Sequence, residues 1–404
     1  ITLPHHDGHE VERSQSQLLS LTSQLQTLLT TPNDLIRRLA THSQLLACLH
    51  WLIEFQVLAC IPLRGSVAAQ DVANLVGVPE GQLLRIVRMT ATAGFLREAQ
   101  PGFVAHTSLS EPFVSKLVHL DALMFLAQTA APAASMMNAA TKRHGKEEGT
   151  ASALTLALNT RETFQMLRES RPKLQRQWLA HLACEIDNDD ECVIELLSQL
   201  DWKKLQNVTI VDVASTSMTL GLSLANRYPS AHLILQTREP LLLGHQDQAS
   251  SVWNNSNNGA VEPDPSSRIS MQSRAAGAPQ VITSAVAYIL NLESCSSQAG
   301  ARDWLLTELK AHLAALRNSG SALILAGPRL IPEAGSVHPD IEATARVRDL
   351  LLLQLANEQE LGVAEITGLI ESVKDNQGGL VTVHTEQQFD GRIVALMVKY
   401  ARKS

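Results

Sequence analysis

Aromatic side chains are scarce in this chain: Phe, Trp and Tyr together make up 4% of its 404 residues. Its cores must therefore be built from Leu, Ala, Val and Ile, with few large rings to anchor them. Cysteine is scarce too. The five thiols, Cys48, Cys60, Cys184, Cys192 and Cys295, are odd in number and scattered. They form no CxxC pair and no Cys/His cluster of ligand spacing. This argues against a zinc module or a disulfide scaffold, and predicts reduced, mostly buried thiols in an intracellular protein. The histidines show no metal spacing either, so no metal is expected. Positive charge is in deficit, with 33 Lys and Arg against 40 Asp and Glu for a net charge of −7. That balance disfavours a generic binder of nucleic acid, which needs a basic surface. No unbroken apolar run is long enough to span a bilayer and no signal-peptide pattern is visible, so no membrane role is expected.

What is present is 45% hydrophobic residues, enough for real cores, over a length that suggests two domains or one plus a sizeable appendage. Residues 1–12 are polar and His-rich and read as a disordered lead-in. Leu18, Leu19, Leu21, Leu25, Leu28 and Leu29 recur at helical spacing over Gln15–Leu29, a stripe with no local partner in sequence. Asn33 or Asp34 is suited to cap a following apolar helix that runs to Ile61. Ala68–Val78, a turn at Pro79-Glu80-Gly81, Gln82–Leu96 and two short strands at Phe95–Glu98 and Phe103–His106 make a winged-helix pattern. Its second helix carries Arg85 and Arg88 but little other positive charge, so direct DNA reading is not expected. Helices fill roughly 110–200, with a loop near 142–149.

At Asn207 the pattern changes. Val208–Val213 is a continuous apolar strand carrying Asp212, followed by a helix (Leu220–Arg227) and a second apolar strand, His232–Leu235. Strand, helix, strand opens a parallel α/β sheet. Further strands are predicted at Val281–Leu290, Ala322–Ala326, Leu380–His384 and Arg392–Lys399. Helices are predicted at Ala301–Leu316, Ile341–Ala356 and Val363–Val373. Residues 244–280, rich in Ser, Asn, Gln, Gly and Pro, read as a flexible surface insertion. The expected division is a helical extension (1–34), a winged-helix-like dimerisation domain (35–118), a helical linker region (119–200) and a Rossmann-like domain (201–404).

The turn after the first strand of such a domain is normally glycine-rich, because the backbone must approach a nucleotide closely. Here Ala214, Ser215, Thr216 and Met218 stand where glycines would be, and the long side chain of Met218 is expected to project into the ligand space. An acid at the end of the second strand normally grips the ribose hydroxyls. Gln236 occupies that place, and a neutral amide is a weaker acceptor. Glu239, three residues on, could take over part of that role.

The order of helices, winged helix and α/β core, ending in Asp349–Leu355 and Val363–Ile366, resembles the plant and fungal small-molecule O-methyltransferases over nearly the whole chain. Gln44–Leu63, Val78–Arg88, Arg171-Pro172-Lys173 and the degenerate turn more narrowly resemble the aflatoxin/sterigmatocystin-pathway transcriptional co-activators of filamentous fungi. The resemblance implies an N-terminal helical, winged-helix dimerisation domain before a class I methyltransferase fold. It places Asn291 where a phenol methyltransferase keeps its general base, and an amide takes up no proton at neutral pH. With three parts of one site degraded together, no catalytic residue and no bound cofactor are expected, S-adenosylmethionine being the cofactor if the site is competent.

The implied role is a non-catalytic co-activator acting with a zinc-cluster (Zn2Cys6) transcription factor, as a homodimer, in nucleus and cytoplasm. Two alternatives stay open on the sequence. One is a fold-reusing enzyme of polyketide biosynthesis, cyclase- or pericyclase-like; the other is an active methyltransferase with an altered cofactor loop.

Overall fold

The structure is a computed structural model, and it describes residues 8–143, 151–185, 194, 208–215, 218–237, 265–292, 300–327, 331–387 and 394–403. The chain divides into two compact units. One comprises Ile1–Asp187 with Gln354–Asn357, the other Asn188–Leu353 with Glu358–Ser404.

The first unit opens with α1 (Gly8–Leu29) and α2 (Pro32–Glu54). The helix thus begins earlier than the apolar stripe alone suggested, inside the expected lead-in. The cap of α2 is Thr31 rather than Asn33 or Asp34. Thr31 Oγ1 accepts from the Asp34 amide while the Asp34 carboxylate accepts from the Thr31 amide, a reciprocal box that satisfies two orphan donors. α2 stops at Glu54 instead of running to Ile61, because Gln56 turns left-handed (φ 53°) before a short 3-10 turn, Val57–Cys60.

Next come β1 (Val67–Ala68), α3 (Ala69–Val76), α4 (Glu80–Ala91), β2 (Leu96–Gln100) and β3 (Phe103–His106). The strands pair antiparallel in the order β1-β3-β2. Leu52, Leu83, Val87 and Leu96 are fully buried at the centre of this segment. Helices α5 (Pro112–Ser115), α6 (Leu117–Phe125), α7 (Ala131–Arg143), α8 (Ala153–Ala157), α9 (Phe164–Ser170) and α10 (Pro172–Glu185) complete the unit. The stretch Leu117–Arg143 is, by length and composition, the one described helix apolar enough to cross a membrane. It carries the buried Asp121, whose carboxylate takes 2.6 and 3.1 Å hydrogen bonds from Arg176 on α10. That ion pair ties it to a neighbouring helix of the same unit.

The second unit is a seven-stranded sheet. Its strands are β4 (Val208–Val213), β5 (Ala231–Thr237), β6 (Ile269–Ser273), β7 (Ala287–Asn291), β8 (Ala322–Gly327), β9 (Gly378–Gln387) and β10 (Val394–Arg402), in the order β6-β5-β4-β7-β8-β10-β9. The first five in that order are parallel, and β10 runs antiparallel between β8 and β9. Counted from β4, this is strand order 3-2-1-4-5-7-6, with its topological switch point between β4 and β7. Among the described residues the unit's helices include α11 (Thr219–Arg227), α12 (Ala301–Ser319), α13 (Pro339–Ala356) and α14 (Val363–Ser372). β4, β7 and β8 are buried almost throughout, as continuous apolar strands of a doubly wound sheet should be.

One expectation fails here. Residues 265–280 are not part of a flexible insertion: β6 pairs with β5 over five residues from Ile269 to Ser273. The strand was illegible because it is an edge strand of mixed polarity (Ile-Ser-Met-Gln-Ser) with no buried run. Residues 244–264 lie outside the described structure. β7 also begins later than expected, at Ala287, since the chain from Val281 to Val286 is loop.

Candidate functional site

The chemistry of this fold would sit at the carboxyl end of the sheet, around the turn after β4. Asp212, next to last in β4, is buried at 2% exposure. Ala214 follows with φ 57°. The turn therefore holds a left-handed residue with a Cβ where a glycine would adopt that conformation freely, at a cost of about 1–2 kcal/mol. The Ser215 amide donates to the Gln236 carbonyl at 2.8 Å, which ties the turn to the end of β5. Thr216 lies outside the described residues. Met218 is half-buried at the N-terminal cap of α11 and gives no side-chain capping bond.

One glycine function survives that the sequence did not reveal. A Cβ built on Gly221 would come within 2.8 Å of a Leu235 methyl, so this glycine is what lets α11 lie close on β5. In dinucleotide folds one of the fingerprint glycines does the same work. The signal, a glycine seven residues after Ala214, is visible only once the helix is placed against the strand.

Gln236 is 1% exposed and fully engaged inside the protein. Its amide nitrogen donates to Gln272 Oε1 at 2.9 Å and to Gln280 Oε1 at 3.1 Å, and its oxygen accepts from Gln280 Nε2 at 2.9 Å. Gln280 Nε2 also reaches His312 Nε2 at 3.3 Å. His312 Nδ1 lies 2.8 Å from the Glu308 carbonyl. This set of partners assigns the neutral ring with its proton on Nδ1.

Glu308 itself is wholly buried, accepting from Arg274 Nη1 at 2.9 Å and from the Gly277 amide at 2.7 Å. Three glutamines, a histidine and an ion pair thus clamp the loop after β6 to both β5 and α12. Burial, followed by the Arg274 charge, drives the His312 imidazole down to about 4, against the pull of Glu308. Tyr288, fully buried in β7, donates to the Ile282 carbonyl at 2.6 Å, and its phenol is pushed up by desolvation.

Asn291 ends β7, half-buried, in register with Ala326 of β8. Just beyond it the chain is tight, since a Cβ on Gly327 would meet Leu292 Cβ at 2.8 Å. Glu239 lies outside the described residues. The structure therefore brings Asp212, Ala214, Ser215 and Gln236 together at the ends of β4 and β5, while Gln236 faces the buried network. Among the described residues, no carboxylate stands in β5 or β6, so the acceptor pair that a ribose diol needs is not supplied there. Nor do the described residues contain a group of three or more His, Cys, Asp or Glu that could hold a metal ion. In the first unit, Arg88 is held by Glu98 at 2.8 and 2.9 Å, so one of the two cations of α4 is already paired within the protein.

No family model matches the sequence. The fold does have solved counterparts. The chain superposes on a pericyclic reaction enzyme with a TM-score of 0.69 at 14% identity, covering 96% of this chain and 94% of that one. It superposes on the mitomycin 7-O-methyltransferase MmcR with a TM-score of 0.64 at 17% identity, covering 91% and 98%. These likenesses show a class I methyltransferase fold and nothing more. In sequence, the chain is 44% identical to the monodictyphenone cluster transcriptional coactivator mdpA of Emericella nidulans, over 97% of its own length and 89% of that protein's. Identity of that depth over nearly full length, on the fold just described, places the chain in the family of secondary-metabolite cluster transcriptional coactivators.

Proposed function

We propose that this protein is a transcriptional coactivator of a secondary-metabolite gene cluster, and that its methyltransferase fold serves as a binding scaffold without catalysis. The observation that carries the non-catalytic part is the Gln236 amide. At the end of the second strand it is used up inside the protein, by Gln272 and Gln280. Asn291 at the end of β7 is a second support, because an amide cannot serve as the general base of a methyl transfer. The fit of these residues to S-adenosylmethionine is poor.

The partner of this reading is a zinc-cluster (Zn2Cys6) transcription factor of the same cluster, which supplies sequence recognition of DNA. The coactivator binds no DNA itself, works in the nucleus as well as the cytoplasm, and is a homodimer through its N-terminal helices and the β1–β3 segment. Co-purification of the two proteins at micromolar concentration tests the partner, and absence of association refutes it. Calorimetric titration with S-adenosylmethionine and S-adenosylhomocysteine tests the scaffold. The expected result is no heat up to millimolar ligand, and micromolar binding would return the protein to the enzymes.

A further inference from the structure

Of the 16 prolines in the chain, one follows a serine or threonine, and it is Pro32 after Thr31. That dipeptide lies where α1 has ended and α2 begins, and Thr30 and Thr31 alone separate the two helices. Thr31 is exposed, with extended backbone at φ −83° and ψ 163°. Proline imposes that conformation on the residue before it, because its ring excludes the helical region there.

The neighbouring threonines are occupied differently. A helical threonine turns its hydroxyl back to the carbonyl four residues earlier, and Thr22 and Thr27 do so. Thr30 bonds the Gln26 carbonyl in the same way and also accepts from Arg38 Nη2 at 3.0 Å. Thr31 Oγ1 is instead directed across the cap to the Asp34 carboxylate, 2.6 Å from Oδ2.

The corner is suited to a doubly charged anion. Thr31 is the N-cap of α2, so the first-turn amides of that helix are directed at it, and the Asp34 amide lies 3.3 Å from Oγ1. Arg37 Nη2 stands 2.9 Å from Asp34 Oδ1, and Arg38 reaches the Thr30 hydroxyl. Two guanidinium groups thus stand at this corner beside one carboxylate.

We infer that Thr31 is a phosphorylation site for a proline-directed protein kinase, and that the phosphate becomes the cap of α2 in place of the Thr31–Asp34 box. In the transfer, Thr31 Oγ1 bonds to the γ-phosphorus of ATP. The bond from that phosphorus to the β,γ-bridging oxygen breaks, and ADP leaves with the electron pair. The hydroxyl proton goes to the carboxylate base of the kinase. Oγ1 then has no proton to give Asp34, which the new charge repels. The phosphate oxygens accept from the first-turn amides and from Arg37 and Arg38 in its place. The inference goes beyond the coactivator reading and does not rest on it.

The test incubates the full chain at micromolar concentration with a mitogen-activated protein kinase and ATP, and reads incorporation by intact mass and peptide mapping. One phosphoryl group per chain is expected, on Thr31. It should be kept in Thr31→Ser and lost in Pro32→Ala. The second variant leaves the hydroxyl and its cap in place, so it separates recognition by the kinase from folding. No incorporation, label on another residue, or undiminished label in Pro32→Ala overturns the site. Acid titration of the phosphorus resonance tests the cap. The second ionisation of the phosphate should move up by about half a unit in Arg38→Gln, which removes one of the two cations. Equal titration in parent and variant overturns the capping role. Neither failure touches the coactivator reading, which stands or falls on capture of the transcription factor.

Discussion

His312 makes the stability of the second unit sensitive to acid in a calculable way. The imidazole is wholly buried. It lies between the Glu308 carbonyl and the Gln280 amide, with the Tyr288 ring edge-on at 5.4 Å and the Glu308 carboxylate at 3.9 Å. Its folded pKa is depressed to about 4 from the ordinary imidazole value of 6.5, chiefly by burial. The unfolded chain therefore binds a proton that the folded chain refuses. Stability is complete above pH 6.5, falls as the pH drops through the window from 6.5 to 4, and is flat again below it. A tenfold change in proton affinity is worth about 1.4 kcal/mol, so the whole window is worth about 3 kcal/mol. Most of it is lost between pH 7.5 and 4.5 by the same linkage.

The perturbation that isolates this contribution is His312→Gln, which keeps an acceptor for Gln280 and cannot titrate. Denaturant unfolding of both proteins at the two pH values gives a double difference in which carboxylates common to both cancel. The parent should lose more stability than the variant on acidification, on the order of 2–3 kcal/mol. An equal pH dependence in the two would refute the buried neutral histidine and the network drawn around it.

Three other predictions concern the same unit and are read by denaturant unfolding. Glu308→Leu leaves the buried Arg274 guanidinium without its carboxylate and should cost about 3–5 kcal/mol, most of which Arg274→Met should restore in the double variant. Ala214→Gly exchanges relief of a left-handed strain of about 1–2 kcal/mol against a freer unfolded chain and a lost methyl, and should fall within about 1 kcal/mol of zero. Ala214→Val should be clearly destabilising by comparison, and equal effects would mean that the positive φ is wrong. Gly221→Ala should be destabilising in the parent by overpacking against Leu235. It should become stabilising by up to about 1 kcal/mol on a Leu235→Ala background, where only helix propensity remains.

Much of this protein was legible in its sequence, and the parts that were have a common cause. β4 and β8 could be placed because parallel strands buried on both faces must be continuously apolar. α12 and α14 could be placed because a helix packed on a sheet repeats its apolar residues every three or four positions. The loss of turn glycines was visible because a side chain is either there or not. β6 was not legible, since an edge strand of mixed polarity carries no pattern until β5 lies beside it.

The meaning of individual polar residues was not legible either. Gln236 read only as a weakened ribose acceptor. Only the fold brings Gln236, Gln272, Gln280 and His312 within hydrogen-bonding distance across 76 residues of chain. Local sequence determined the buried strands and the amphipathic helices, because propensity and periodicity act within a few residues. Tertiary structure alone decided which polar side chains satisfy one another, because burial removes the water that would otherwise have served each of them.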